Sequence, residues 1–152
     1  MKKRLASRFL LPVLAGGLLL SACSKQADEP TPAAAPADSV TILRTGTVMA
    51  QGGVMSGGTV AIVRGADGAE YVQFNPDFHS DFHTGSLGIY LAKSNDLVRN
   101  QRALNPANVV RVGTITQSGA QRLSITGVST GFSHVILHCD PAQYNFGAAA
   151  LQ

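Results

Sequence analysis

Tryptophan is absent from this chain, and only two of its 152 residues are cysteine. Two cysteines cannot staple a disulfide-framework miniprotein, so that class is excluded. Charge is scarce as well: Asp, Glu, Lys and Arg make up 14% of the residues, where globular proteins carry roughly 25%. A coiled coil or long-helix protein, which needs dense charge on its solvent positions, is excluded with it. An apolar stretch long enough to span a bilayer is lacking too. The run at residues 9–20 has twelve members. As a helix it would reach about 18 Å, short of a hydrocarbon core about 30 Å thick. Glycine is what the chain has in excess, at 16 of 152 residues.

Twelve Lys and Arg face nine Asp and Glu, for a formal net charge of +3. Four of the positive charges, Lys2, Lys3, Arg4 and Arg8, fall within the first eight residues. Without them the remainder has eight positive and nine negative charges. A nucleic-acid binder needs its basic excess on a folded surface. Here the excess sits in a leader, so no nucleic-acid partner is expected.

A basic start followed by an apolar run that Pro12, Gly16 and Gly17 interrupt has the anatomy of an export signal, with a membrane anchor as the alternative. The run ends in Leu20-Ser21-Ala22-Cys23, which closely resembles a bacterial lipobox. The resemblance implies that residues 1–22 are a lipoprotein signal peptide and that Cys23 is lipidated and becomes the first residue of the mature protein. Two or three acyl chains then hold it durably on a membrane. Ser24 stands where an aspartate would signal inner-membrane retention in enteric bacteria, which implies the periplasmic face of the outer membrane within the cell envelope. Residues 24–39 read SKQADEPTPAAAPADS, with three prolines and no large apolar side chain. Such a segment cannot offset its ordering entropy by burial, so residues 23–39 are expected to be a lipidated cysteine and flexible linker.

From residue 40 to residue 152 short apolar runs alternate with glycine, proline and asparagine, the pattern of an all-β domain. The runs predict strands at 46–50, 58–64, 70–74, 87–92, 109–116, 121–126, 134–139 and 143–148. About eight short strands predict an antiparallel β-sandwich or barrel. Residues 95–105 have room for a helical turn, but their apolar face is too thin for a packed helix. In the last strand Tyr144, Phe146, Ala148 and Ala150 alternate, which places the aromatics in the core. No repeat period is seen, so solenoids and propellers are not expected.

The domain's one cysteine, Cys139, has no partner in the chain if Cys23 carries lipid. An unpaired thiol in an oxidising envelope is a liability unless it is buried, ligated or used. In His134-Val-Ile-Leu-His138-Cys139, strand alternation groups Cys139 with Val135 and Leu137, and turns His134, Ile136 and His138 the other way. Cys139 is thus a candidate redox or ligand residue, or a small buried hydrophobe. His138 and His134 are secondary candidate ligands. They lie four apart, about 13 Å along a strand, and cannot chelate one ion between them. His79 and His83 are also four apart, a metal spacing only on a helix, which the Asn75-Pro76 context opposes. Histidines on surface loops and strands are the plainer reading of both pairs. The chain has no Cys-x-x-Cys, no His-Glu-x-x-His helix, and no His or Met after Cys139 to complete a blue-copper site. No Gly-x-Ser-x-Gly nucleophile elbow is expected, and no catalytic constellation is visible.

The stretch from Phe132 through His138-Cys139 to Tyr144, Phe146-Gly147, Ala149 and Leu151 resembles the carboxy-terminal pattern of the DM-thirteen domain, a small extracytoplasmic module. Val112-Gly113-Thr-Ile115 followed by Gly119 and Gln121, and Leu87-Gly88-Ile89-Tyr90-Leu91, are similar to two further segments of that family. Gly46, Gly58-Thr59-Val60 and an Asp-Phe turn at Asp77-Phe78 or Asp81-Phe82 fit its opening. His138 stands where the family has tryptophan, Ala142 where it has an aromatic, and Gly85-Ser86 where it has Pro-Asp. The resemblance implies a β domain, and a redox or electron-transfer role in which Cys139 is the thiol or ligand. The cofactor stays open, with haem or a metal ion as the options, and an envelope redox or protein partner is implied. The alternative is a structural or interaction module of the envelope with Cys139 buried and inert. Enzymatic activity is not expected on either reading.

Overall fold

The computed structural model describes residues 39–152, so the signal peptide, Cys23 and nearly all of the linker lie outside the described residues. The described chain forms β1 (Thr41–Ala50), β2 (Thr59–Arg64), β3 (Glu70–Phe74), β4 (Leu87–Ala92), α1 (Val98–Leu104), β5 (Val109–Ile115), β6 (Gln121–Ser124), β7 (His134–Cys139) and β8 (Tyr144–Ala150). A 3-10 turn at Pro106–Asn108 leads from α1 into β5. The expected all-β architecture of eight strands is the one observed.

The strands hydrogen-bond in the order β5-β4-β7-β8-β1-β2-β3-β6, and every pair is antiparallel. The sheet curls until its two edges nearly meet. β5 and β6 do not pair, but a Cβ on Gly113 would lie 3.4 Å from the Leu123 methyls, so side chains and not a ladder fill the seam. β1 makes the closure continuous. Its first part pairs with β2, and Val48–Ala50 pairs with β8. It starts at Thr41, five residues before the predicted position, because Arg64 and Val63 of β2 offer ladder partners to Thr41 and Ile42. A bulge at Leu43 absorbs the extra residue.

Alternate side chains fill the interior. Val60, Ile62, Val72 and Phe74 come from one side, and Leu87, Ile89, Leu91, Val135, Leu137 and Phe146 from the other. Each fully buried side chain of this size contributes roughly 1.5–3 kcal/mol. A second, smaller apolar cluster lies outside the barrel, where Tyr90, Ala92 and Ile136 meet Val98 and Val109.

That outer cluster explains the helix. α1 has seven residues and no side-chain cap, and its apolar face is thin, yet it packs. Val98 enters the outer cluster, and buried Gln101 does the rest. Its Nε2 donates to the carbonyls of Ser94 and Asp96, and its Oε1 accepts from the Ser94 N–H. Polar anchoring replaces the missing apolar stripe, which corrects the expectation that no packed helix forms here.

The alternation expected of β8 also fails, for a physical reason. Leu137 pairs with Gly147 but His138 pairs with Asn145, leaving Phe146 as the extra residue of a β-bulge. Phe146 is wholly buried in the interior and Tyr144 packs against it from the rim, as the aromatic pattern predicts. Beyond the bulge the parity changes. Ala149 faces the interior and Ala148 faces the outer cluster.

Antiparallel pairing gives the barrel two ends. The proximal end is where β1, β3, β5 and β7 begin, and the distal end carries the loops at 51–58, 75–86, 116–120 and 140–143. Phe78 and Phe82 plug the distal end from the 75–86 loop.

Candidate functional site

β7 presents its last two residues to opposite sides of the sheet. Cys139 points inward as the only described cysteine, unpaired and with 0% of its surface exposed. It belongs to the same apolar cluster as Val135, Leu137 and Phe146. The sequence-predicted grouping of Cys139 with Val135 and Leu137 is thus the observed one, and these neighbours offer no second ligand.

His138 points outward and is 1% exposed, which corrects the expectation of a surface histidine. α1 and the segment before it cover this face of the strand. The Asn145 amide nitrogen donates to the carbonyls of Asn95 and Asp96. Its oxygen therefore accepts, and His138 Nδ1 donates to it at 2.9 Å. The ring meets Tyr90 edge to face, with centroids 5.7 Å apart. Burial pushes the imidazole below its ordinary pKa, against an opposing pull from Asn145 and Asp140. His138 is neutral at pH 7. As pH falls below about 6.5 the unfolded chain takes up the proton first, so this group costs stability on the acid side.

Beside it, the Tyr90 hydroxyl donates to Asp140 Oδ1 at 2.6 Å, and Arg111 reaches Asp140 Oδ2 at 3.3 Å. Burial first, and then Asp140, raise the Tyr90 pKa. Gly88 makes the room, since a Cβ there would stand 2.8 Å from both Asp140 and the Tyr90 ring. Tyr90, Asp140 and Arg111 together tie β4, β5 and the end of β7, with Arg111 also donating to Thr114 Oγ1 and Arg102 lying over the Tyr90 ring.

The other histidines stay apart. His134 is half-buried at the proximal end of β7, with Nδ1 at 2.9 Å from Ser133 Oγ and its pKa lowered by burial. His79 and His83 are exposed on the distal loop, which is not helical, as the Asn75-Pro76 context predicts. His79 Nδ1 lies 3.1 Å from the Asp77 carbonyl. His83 pairs with Asp81 at 2.8 Å and stacks over Phe146 with centroids 5.8 Å apart. Among the described residues no group of three or more His, Cys, Asp or Glu side chains is arranged to hold a metal ion.

A second polar centre closes the proximal end, and sequence reasoning missed it. Glu70 is 5% exposed, accepts from Arg64 at 2.8 Å, and accepts from the Ser129 N–H at 2.8 Å. Arg44 donates to the Ser129 carbonyl and hydroxyl, and to the Phe132 carbonyl. Residues 127–131 read Gly-Val-Ser-Thr-Gly, which satisfies the Gly-x-Ser-x-Gly spacing of a nucleophile elbow and corrects the expectation that the motif is absent. The spacing is met without the context. A true elbow sits between a strand and a helix with its serine exposed and a histidine in reach. This one is the β6–β7 loop, its serine is buried, and the serine's partners are Arg44 and Glu70. The signal that was available was the domain's lone glutamate directly opposite Arg64 on the neighbouring strand.

No protein-family model, curated protein or solved structure matches this chain.

Proposed function

We propose that the chain is a lipid-anchored cell-envelope protein whose β domain serves as a structural and interaction module, without catalysis. The complete burial of Cys139 in an apolar cluster carries this reading. A thiol works in redox exchange through its thiolate, in a partly exposed and electropositive setting. The closest charged neighbour in sequence is Asp140, which is engaged with Tyr90 and Arg111. The outward histidines add nothing to it, because His138 lies across the sheet and is spent on Asn145. On this reading Cys139 fills the core as a small hydrophobe, and the lipobox resemblance at Cys23 supplies the membrane address. The DM-thirteen resemblance supports an extracytoplasmic setting, and its electron-transfer role is the competing reading.

Maleimide labelling of the folded, detergent-solubilised protein separates the two. Cys139 should stay unlabelled until denaturant is added and then react fully. Labelling in the native state at the rate of an exposed thiol, or a cofactor absorbance lost in Cys139→Ser, would restore the redox reading.

A further inference from the structure

α1 carries two arginines, Arg99 and Arg102, and both are exposed. Neither makes an ion pair among the described residues, where the pairs are Arg64–Glu70, His83–Asp81 and Arg111–Asp140. They stand three apart, so they are neighbours on the helix surface, and like charges at that spacing weaken a helix. Arg99 is placed worse still. It is the second residue of α1, where the helix macrodipole disfavours a cation, and the first turn holds no acidic residue to offset it. The nearest carboxylate in sequence, Asp96, spends Oδ1 on the Leu97 N–H and the Asn100 amide. A seven-residue helix without a side-chain cap has little stability to give up. A charge kept at a cost to its own helix, with no ion-pair partner in the fold, marks a surface that acts on something outside.

A third guanidinium joins them at Tyr90. Arg102 lies over the Tyr90 ring, with its guanidinium carbon 5.0 Å from the centroid. Arg111 comes from β5 to the hydroxyl end of the same side chain, where it meets Asp140 at 3.3 Å and Thr114 Oγ1 at 2.8 Å. Stacking fixes the Arg102 plane, and a guanidinium so held presents the fork of donors that fits phosphate oxygens in pairs. The one carboxylate beside Tyr90, Asp140, is taken by the Tyr90 hydroxyl and Arg111. Three of the seven Lys and Arg in residues 40–152 thus gather around one tyrosine, which makes this face a local centre of positive charge.

We propose that this patch docks the domain on an anionic phospholipid surface, with Arg99, Arg102 and Arg111 pairing lipid phosphates. An array of phosphates can meet cations carried on two elements, α1 and β5, at the same time. Each basic residue near such a surface favours docking about fivefold. Three of them are too weak to hold a free protein and sufficient to orient one that is kept close. That lipid on Cys23 keeps it close rests on the envelope reading above.

The test uses a tryptophan reporter, since the chain has no tryptophan of its own. Leu104 ends α1 and is 82% exposed, so Leu104→Trp is tolerated there. The full-length protein with this substitution, purified from the envelope, is reconstituted into phosphatidylcholine vesicles with and without phosphatidylglycerol. Both vesicle types carry a nitroxide on the lipid headgroup. Quenching of the reporter is expected to be stronger with phosphatidylglycerol, and the difference should vanish at high salt. Arg99→Gln should lower the docked-to-undocked ratio about fivefold, with the melting curve unchanged because that side chain is exposed and has no ion pair. Equal quenching in the two vesicle types, or a difference that both Arg99→Gln and Arg102→Gln leave in place, would overturn the proposal. Saturable binding of polyglutamate without any vesicle difference would overturn it too, and would assign the patch to an acidic protein. Flotation with the neutral vesicles reads the tether alone, so failure of the tether is seen apart from failure of the patch.

Discussion

Glu70 stands where only charge-assisted hydrogen bonding keeps a carboxylate ionised. The Ser129 hydroxyl and N–H, with Arg64 behind them, hold its pKa down to about 2 against the opposing effect of burial. The sign follows from linkage. A carboxyl whose folded pKa is depressed contributes stability that is present above its unfolded pKa and is lost as pH falls through the folded one. Glu70 should therefore destabilise the barrel progressively from pH about 4.5 down to about 2. Glu70→Gln removes the charge, keeps the shape, and leaves Arg64 without its anion. Urea unfolding at pH 7 should show a loss of about 1–3 kcal/mol. The variant's further loss between pH about 4.5 and 2.5 should be smaller than that of the wild type. Parallel acid profiles for the two proteins would remove Glu70 from the account of acid sensitivity.

At the scale of elements, the strands were legible because period-two alternation and glycine punctuation are local signals. β3, β4 and β7 have the bounds that their apolar runs predict, and the side assignment of Cys139 follows from parity alone. What could not be read is whatever depends on a partner strand. The bulge at Phe146 exists because β7 and β8 must keep register on both sides of His138, and one strand's sequence does not record it. His138 looks solvent-facing by parity, and it is, until α1 covers it. α1 itself was missed because its anchor is a glutamine, and a single buried amide leaves no hydrophobic period. Gln101→Leu tests that account. It preserves volume but strips the bonds to Ser94 and Asp96, so denaturant unfolding should show a loss of about 1–3 kcal/mol. Arg99→Ala on the exposed face should stay within about 0.5 kcal/mol of wild type. If Gln101→Leu proves neutral, apolar packing by Val98 holds the helix and the polar anchor is incidental.

Across the whole molecule, charge divides between the two ends of the barrel. The chain enters at the proximal end, which carries Arg44, Arg64 and Lys93 alongside Asp67 and Glu70, while the distal loops hold Asp77, Asp81 and Asp140 and contain no lysine or arginine. Among the described residues no helix is long and apolar enough to cross a membrane, and membrane attachment on this reading depends on lipid at Cys23. Cys23→Ser should then block acylation, because a serine hydroxyl cannot form the thioether. The expected product is an unprocessed or unanchored precursor, seen as a heavier species by mass spectrometry and lost from the washed membrane fraction. Its β domain should fold as before, with Cys139 still protected from maleimide. A Cys23→Ser protein that still sediments with membranes at the mature mass would show that something other than this cysteine holds it there.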